Sequence, residues 1–114
     1  MKRAKSILQK PIHIRPLANT DIDDITDYIA LDSIEAATRF LNSVEQACAR
    51  ISEQPGIGAL RYAKTAYLDG LRFWPVPTFD KYLVFYLERP DYIDVLRVLH
   101  GARDIPNILM DSMS

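Results

Sequence analysis

The sequence is poor in the residues that mark disulfide-rich or metal-binding proteins. It contains one cysteine, two histidines and four glycines in 114 residues. A single cysteine cannot form an intrachain disulfide, and Cys48 has no cysteine or histidine neighbour at metal-ligand spacing. A disulfide framework and a cysteine-based zinc site are therefore excluded. We expect Cys48 to be a small buried hydrophobe in a helix.

Long apolar runs are also missing. No stretch approaches the roughly 20 apolar residues that a membrane-spanning helix needs. Residues 1–15 carry five bases and no acid, but neither an apolar run nor a cleavage site follows them, so they do not form a secretory signal. We expect a cytoplasmic protein without a membrane partner.

The charge is balanced overall and uneven along the chain. The net charge is −1, which lacks the positive footprint of proteins that grip nucleic acid and predicts no direct sequence-specific nucleic-acid binding. Residues 18–35 hold six acids and no base. Helical spacing directs these carboxylates to several sides and no closing ligand follows, so a solvated helix face is favoured over a metal site. No metal or cofactor is expected.

One short strand and a helix are predicted after the basic head. Residues 11–17 alternate apolar and polar side chains, and their prolines restrict the strand to a sheet edge or end it. Thr20 and Asp23 have the spacing of a capping box. The isoleucine stripe that follows predicts a helix over residues 21–30.

A second, longer helix is predicted over residues 33–53. Asp32 and Glu35 repeat the capping spacing, and apolar residues keep helical period until Pro55 and Gly56 stop it. Because the connection between the two helices is only two or three residues long, they must form an antiparallel hairpin.

The second half of the chain is rich in aromatic and β-branched residues, which favour strands. Residues 71–76, 81–88 and 93–100 are three predicted strands with short, turn-forming separators, so consecutive antiparallel pairing is the simplest topology. Residues 55–70 contain three of the four glycines and no clear period. They are predicted to be a loop with room for a brief turn of structure.

These elements predict an α+β fold of order β-α-α-β-β-β, an antiparallel sheet packed against an N-terminal helical hairpin. Residues 82–87 are apolar on both faces, so a partner is expected on the face that the hairpin leaves uncovered. The length predicts a single domain over residues 1–114, with a basic extension over residues 1–11. Residues 106–114 form either a short helix, for which Asp104 is a candidate cap, or a tail.

Few residues are candidates for chemistry, since the sequence has no phosphate-binding glycine loop and no nucleophile motif. His100 ends a strand before Gly101 and is either an acid–base group or a histidine bonded to turn backbone. Arg72, Arg97 and Arg103 lie on or just after the three strands. They either converge on an anion or a partner carboxylate, or are ordinary ion-paired residues.

The only tryptophan is the remaining candidate. Trp74 lies beside Pro75 and near Phe73 and Phe79. Its large apolar ring predicts a core residue if it is buried, or an interface anchor if it is exposed.

Several runs resemble the ParE branch of the ParE/RelE toxin family, in family order and over nearly the whole span of residues 12–105. They are residues 21–29 (DIDDITDYI), 70–76 (GLRFWPV), 81–86 (KYLVFY) and 95–105 (VLRVLHGARDI), of which the His-Gly-Ala-Arg-Asp stretch is the most specific.

The resemblance implies a RelE-like fold and the toxin role in a type II toxin–antitoxin system of the plasmid-stabilising kind. It further implies inhibition of DNA gyrase by protein–protein contact, without catalysis, and neutralisation by a ParD-type antitoxin. On this interpretation the partner-binding residues are Arg72, Trp74, Arg97, His100 and Arg103.

Two alternatives remain open. A RelE-like toxin would cut messenger RNA on the ribosome, with Arg72 and Arg97 stabilising phosphate charge and His100 acting as acid or base. Against it, no tyrosine follows Tyr92 and the net charge is wrong for docking on ribosomal RNA. A binding module that retains only antitoxin pairing is the second alternative.

Overall fold

A computed structural model of the chain describes residues 9–60 and 69–113. In chain order the elements are β1 (Ile12–Ile14), α1 (Pro16–Ala30), α2 (Ile34–Glu53), a 3-10 turn (Pro55–Ile57), β2 (Ala59–Leu60), β3 (Arg72–Val76), β4 (Phe79–Glu88), β5 (Ile93–His100) and α3 (Ile105–Met113). The predicted α+β class and the order β-α-α-β-β-β are confirmed, with β2 and α3 added to it.

One mixed sheet holds the strands in the order β1-β5-β4-β3-β2. The consecutive strands β3, β4 and β5 pair antiparallel, as predicted. Strand β1 lies parallel to β5, with Ile12 opposite Ile93 and Ile14 opposite Val95. The predicted edge position of this strand is confirmed, and it ends before Pro16, which cannot donate to a strand ladder.

Helix α1 begins at Pro16 rather than at residue 21. Arg15 is the extended N-cap residue and Pro16 the first helical residue, where the missing N–H costs no hydrogen bond and the fixed φ suits the helix. Thr20 is already inside the helix, since its hydroxyl donates to the Pro16 carbonyl at 3.1 Å. The predicted capping box at Thr20 and Asp23 is therefore wrong.

Helix α2 matches its prediction to within one residue. Its N-cap is Ser33, whose hydroxyl oxygen accepts from the Ala36 N–H at 3.0 Å, so Ser33 rather than Asp32 satisfies this helix start. Residues 31–33 connect the two helices, which pack together as the predicted hairpin.

The hairpin covers one face of the sheet and forms the hairpin-side core. Its buried members are Ala18, Ile22, Phe40, Val44, Ala47, Cys48 and Ile51 from the helices and Val76, Val84, Tyr86, Ile93, Val95 and Val98 from the sheet. Cys48 is buried in α2, as predicted. Burial raises the pKa of its thiol to about 11, so the thiol stays protonated at neutral pH.

The opposite face carries a second cluster, the α3-side core. Its buried members are Leu71, Leu83, Phe85, Leu87, Leu96, Leu99, Ile105 and Leu109. The sheet face that we expected to await a partner is therefore occupied within the chain, and that expectation is wrong. The end of the chain takes the helical alternative. Asp104 precedes this helix, with its carbonyl accepting from the Ile108 N–H.

The connections deviate from prediction in two places. Strand β4 begins at Phe79, not at residue 81, because Val76 already pairs with Phe79 across a two-residue turn. In that turn Thr78 has φ of 65°, a conformation rare for a β-branched residue. Of the predicted loop over residues 55–70, the structure shows the 3-10 turn and β2, while residues 61–68 lie outside the described residues.

Within residues 9–60 and 69–113, no helix has the combined length and apolar character that crossing a bilayer requires.

Candidate partner-binding site

An irregularity in β5 shapes the region around the predicted site residues. The register against β4 shifts between Phe85 and Tyr86, so that Phe85 pairs with Arg97 and Tyr86 pairs with Val95. Leu96 is the extra residue of this bulge. As a result Val95 and Val98, three residues apart, both belong to the hairpin-side core, which is how a bulge redirects side chains.

Beyond Val95, none of the strands described in residues 9–60 and 69–113 continues along the outer edge of β5. The backbone hydrogen bond that ends the pairing is from the Arg15 N–H to the Val95 carbonyl, at 3.1 Å. Pro16 then directs the chain into α1, and helix rather than strand lies beside the end of β5. A gap between α1 and β5 follows from this change of structure.

Asp21 closes the base of this gap. Its carboxylate accepts two hydrogen bonds from the Arg97 guanidinium, both at 2.7 Å, and a third from the Val98 N–H at 3.0 Å. The hydrogen bond to Asp21 raises the pKa of Arg97. Asp21 thus satisfies the backbone donor that a neighbouring strand would otherwise bind, and it fastens α1 to the sheet.

A second buried carboxylate fastens the start of β5. Asp94 accepts bidentate hydrogen bonds from Arg15, at 2.9 Å each, and further bonds from Arg89 at 3.0 and 3.1 Å. Burial alone would raise the pKa of Asp94, but the hydrogen bonds from Arg15 and Arg89 outweigh it and lower the pKa. This cluster joins β1, the β4–β5 turn and β5.

Above Asp21 the gap opens into a cavity of about 470 Å³, which we call the α1–β5 cavity. Its accessible walls are Asp24, Ile25 and Tyr28 on α1, Tyr82 on β4, and His100 and Arg103 at the end of β5. The cavity therefore combines apolar, aromatic and charged groups, as pockets that recognise a specific ligand do.

His100 is held by the turn that follows β5. Its Nδ1 accepts from the Ala102 N–H at 3.0 Å, and its ring packs edge-on against Tyr82 with the centroids 5.3 Å apart. The predicted bond to turn backbone is therefore present. With Nδ1 occupied as an acceptor, the neutral imidazole carries its proton on Nε2 as a hydrogen-bond donor.

Two charged groups at the cavity mouth have no partner in the described part of the chain. Asp24 on α1 and Arg103 after β5 are both exposed, and neither side chain makes a hydrogen bond or ion pair with residues 9–60 or 69–113. Opposite charges separated across a concave surface provide charge complementarity for a dipolar ligand.

Arg72 lies elsewhere, on β3. Its Nη1 donates to the carbonyls of Gly58 at 2.6 Å and Gly56 at 3.3 Å. The buried Tyr86 hydroxyl binds the same turn, since it donates to the Pro55 carbonyl and accepts from the Gly58 N–H. A Cβ at Gly58 would lie 2.6 Å from that hydroxyl, so this turn requires glycine. Arg72 is thus bound to backbone.

Trp74 is half-buried on β3, so its exposure lies between the two alternatives given for it, a buried core residue and an exposed interface anchor. It lines a second cavity of about 490 Å³ with Gln46, Ala49, Arg50 and Pro77.

The five predicted residues therefore do not form one site. His100 and Arg103 share the α1–β5 cavity, Arg97 lies behind it against Asp21, and Arg72 and Trp74 lie on β3 across the central strand. Of the two alternatives left open for the three arginines, the structure does not bring them together, and Arg97 is an ion-paired residue.

Two residues of this region, Asp21 and Tyr82, were not predicted from the sequence as site residues. Asp21 was grouped with a solvated helix face, which describes Asp23, Asp24 and Asp27 but not Asp21, whose side chain is 11% exposed. No local pattern identifies it, because its partner Arg97 is 76 residues away. Tyr82 was predicted only as a strand residue. Its neighbours in that strand are buried, so its position gave no separate sign that it lines a cavity.

Comparison with known proteins assigns the fold and the family. A model of the family described as "ParE toxin of type II toxin-antitoxin system, parDE" matches residues 12–105. The chain belongs to the ParE toxin family. This match spans β1 to the first residue of α3, and it includes every residue of the α1–β5 cavity.

A solved structure shares the fold. One chain from the chromosomal ParDE toxin–antitoxin system of P. aeruginosa aligns with a TM-score of 0.65 and 18% identity, over 81% of this chain and 96% of that one. At this identity the likeness shows a shared fold alone. This likeness confirms the expected ParE/RelE-like fold. A search of curated proteins found no match.

Proposed function

We propose that this ParE-family toxin inhibits DNA gyrase by protein–protein contact and is neutralised by a ParD-type antitoxin. The observation that carries the proposal is the family match over residues 12–105, which names the parDE toxin–antitoxin system. In a system of this kind the toxin acts when it is free and is silent when its antitoxin is bound.

A mechanism by contact, without catalysis, is supported by how the candidate catalytic residues are bound. The RelE-like alternative needs Arg72, Arg97 and His100 to act together on RNA. Arg97 is neutralised by a bidentate pair with Asp21, and Arg72 donates to turn carbonyls. They lie on strands separated by β4. An arginine already paired with a carboxylate is a poor stabiliser of phosphate charge.

The two cavities support binding to protein surfaces. Exposed charged and apolar groups surround the α1–β5 cavity, and Trp74 with Pro77 gives the second cavity an apolar wall. Tryptophan, tyrosine and arginine are the residues that most often anchor protein interfaces. Partner binding through Trp74, His100 and Arg103 is accordingly part of the proposal, while Arg72 and Arg97 hold the surfaces in place.

Co-expression tests the proposal in cells. Expression of the chain alone is expected to arrest growth, and expression together with the antitoxin encoded beside it is expected to restore growth and to yield a co-purifying complex. Growth arrest that is accompanied by ribosome-dependent cleavage of messenger RNA, with supercoiling unchanged, would instead support the RelE-like alternative.

A further inference from the structure

The α1–β5 cavity continues into an exposed stripe on α1. Leu17, Asp24, Tyr28 and Leu31 recur at helical spacing, so they lie along one side of the helix. Leu17 is 48% exposed, Tyr28 69% and Leu31 83%. Of the eight large hydrophobic side chains that are exposed in the described part, four lie in residues 17–34. This concentration distinguishes α1 and the turn into α2 from the rest of the described surface.

The length of the stripe indicates an elongated ligand. From Leu17 to Leu31 the helix rises about 21 Å, and the cavity opens beside its middle, at Asp24 and Tyr28. A small molecule would fill the cavity and leave the stripe exposed. A peptide segment is long enough to cover both, and apolar anchors at helical spacing are a common way to bind one.

The charges define the chemistry of that segment. On the α1 side, Asp24 has no partner among the described residues, and its carboxylate lines the same cavity as the ring of Tyr28, a combination that suits an ammonium or guanidinium group. On the β5 side, Arg103 and the Nε2–H of His100 are donors that suit a carboxylate. Asp24 and Arg103 do not pair with each other, so both are available to a ligand that carries both signs.

We propose that the α1–β5 cavity and the α1 stripe bind a segment of the antitoxin that presents a basic side chain to Asp24 and an acidic side chain to Arg103. Its apolar residues cover Leu17, Tyr28 and Leu31. This inference rests on the proposed function for the identity of the partner, since the family is defined by a toxin paired with an antitoxin.

Charge reversal tests the site. Purified antitoxin, from the reading frame beside this chain, is titrated against the wild-type chain and against Asp24→Lys and Arg103→Glu. Each reversal is expected to weaken binding at least about tenfold, because it replaces an attraction across the interface with a repulsion. Asp27→Lys and Arg39→Glu are matched controls, since both side chains are exposed, lie outside the cavity and undergo the same changes of charge.

The controls are expected to bind within about twofold of wild type, with all four variants retaining the wild-type melting temperature. An antitoxin variant with its basic residue changed to glutamate is then expected to recover affinity for Asp24→Lys. Wild-type chain that fails to bind antitoxin would overturn the proposed function. Wild-type binding with cavity variants no weaker than their controls would overturn this site alone. Intact antitoxin binding with loss of gyrase inhibition in Asp24→Lys would assign the cavity to gyrase and also contradict the proposal.

Discussion

Tyr86 and Asp94 are two polar side chains on whose hydrogen bonds the stability of the fold depends. Both are buried, and each joins its own strand to a segment that is distant in sequence, the turn over residues 55–58 for Tyr86 and Arg15 for Asp94. In the described part of the chain, no buried side-chain nitrogen or oxygen lacks a hydrogen-bond partner. A buried polar group that loses its hydrogen-bond partner destabilises the folded state. Removing either side chain should therefore lower the free energy of unfolding by more than a surface substitution does.

Tyr86→Phe is predicted to lower the free energy of unfolding by about 1–3 kcal/mol. The substitution keeps the ring and removes the hydroxyl that binds Pro55 and Gly58, so two backbone groups lose their partner. Tyr82→Phe is the matched control, because the Tyr82 hydroxyl makes no hydrogen bond with the described residues. Urea unfolding measures both. Equal losses in the two variants would contradict this role of Tyr86.

The pH dependence of stability is predicted to contain a contribution from Asp94. Because the pKa of Asp94 is lowered in the folded chain, its contribution is present above the ordinary carboxyl pKa and is lost as the pH falls below about 4. Asp94→Asn should therefore be less stable than wild type at pH 7, and the difference should shrink toward pH 3.

Urea unfolding between pH 7 and pH 3 measures this difference. The exposed Asp91, three residues away in the adjoining turn, supplies the control: Asp91→Asn should follow the wild-type profile. A difference between Asp94→Asn and wild type that stayed constant across the range would argue that the carboxylate charge contributes nothing.

Among the elements, those with strong side-chain patterns could be predicted and those fixed by distant contacts could not. The apolar run of β4 predicted a strand buried on both faces, and the stripe of α2 predicted its length. The start of α1 was missed because the proline at its first position outweighs the capping pattern at Thr20. The parallel pairing of β1 depends on contacts with Ile93 and Val95, about 80 residues away, which leave no local signal.

The residues of the site also separate into those that a local pattern predicted and those that distant contacts fix. His100 was recognised because a strand end before glycine marks a sheet rim, and Arg103 because it follows the last predicted strand. Asp21 was not, since neither the bulge at Leu96 nor the parallel pairing of β1 with β5 is visible in the sequence, and together they place the Arg97 guanidinium and the Val98 N–H against α1. Register and pairing of distant segments set the site, while local pattern sets its elements.

Helix α3 is predicted to contribute strongly to stability through its inner side. Leu109 is fully buried in the α3-side core, whereas its neighbour Met110 is 47% exposed. Leu109→Ala should lower the free energy of unfolding by about 2–4 kcal/mol, as expected for a buried leucine. Met110→Ala is the control and should change it by less than about 1 kcal/mol. Thermal and urea unfolding measure both variants. Equal losses of stability in Leu109→Ala and Met110→Ala would contradict the role of α3 in covering this face.

The whole molecule is a sheet with both faces covered, so its partners must bind outside the two cores. The helical hairpin covers one face and α3 the other. The two cavities described above lie on either side of the hairpin, one at α1 and β5 and the other at α2 and β3. The surface therefore has separate concave places for the antitoxin segment and the target of the proposed function.

Inhibition of gyrase is the central claim, and supercoiling of relaxed plasmid by purified gyrase measures it most directly. The chain is predicted to inhibit supercoiling in proportion to its concentration, and an equimolar amount of antitoxin is predicted to restore it. Full supercoiling at a large excess of folded chain, together with cleavage of messenger RNA by the same preparation on translating ribosomes, would contradict the account.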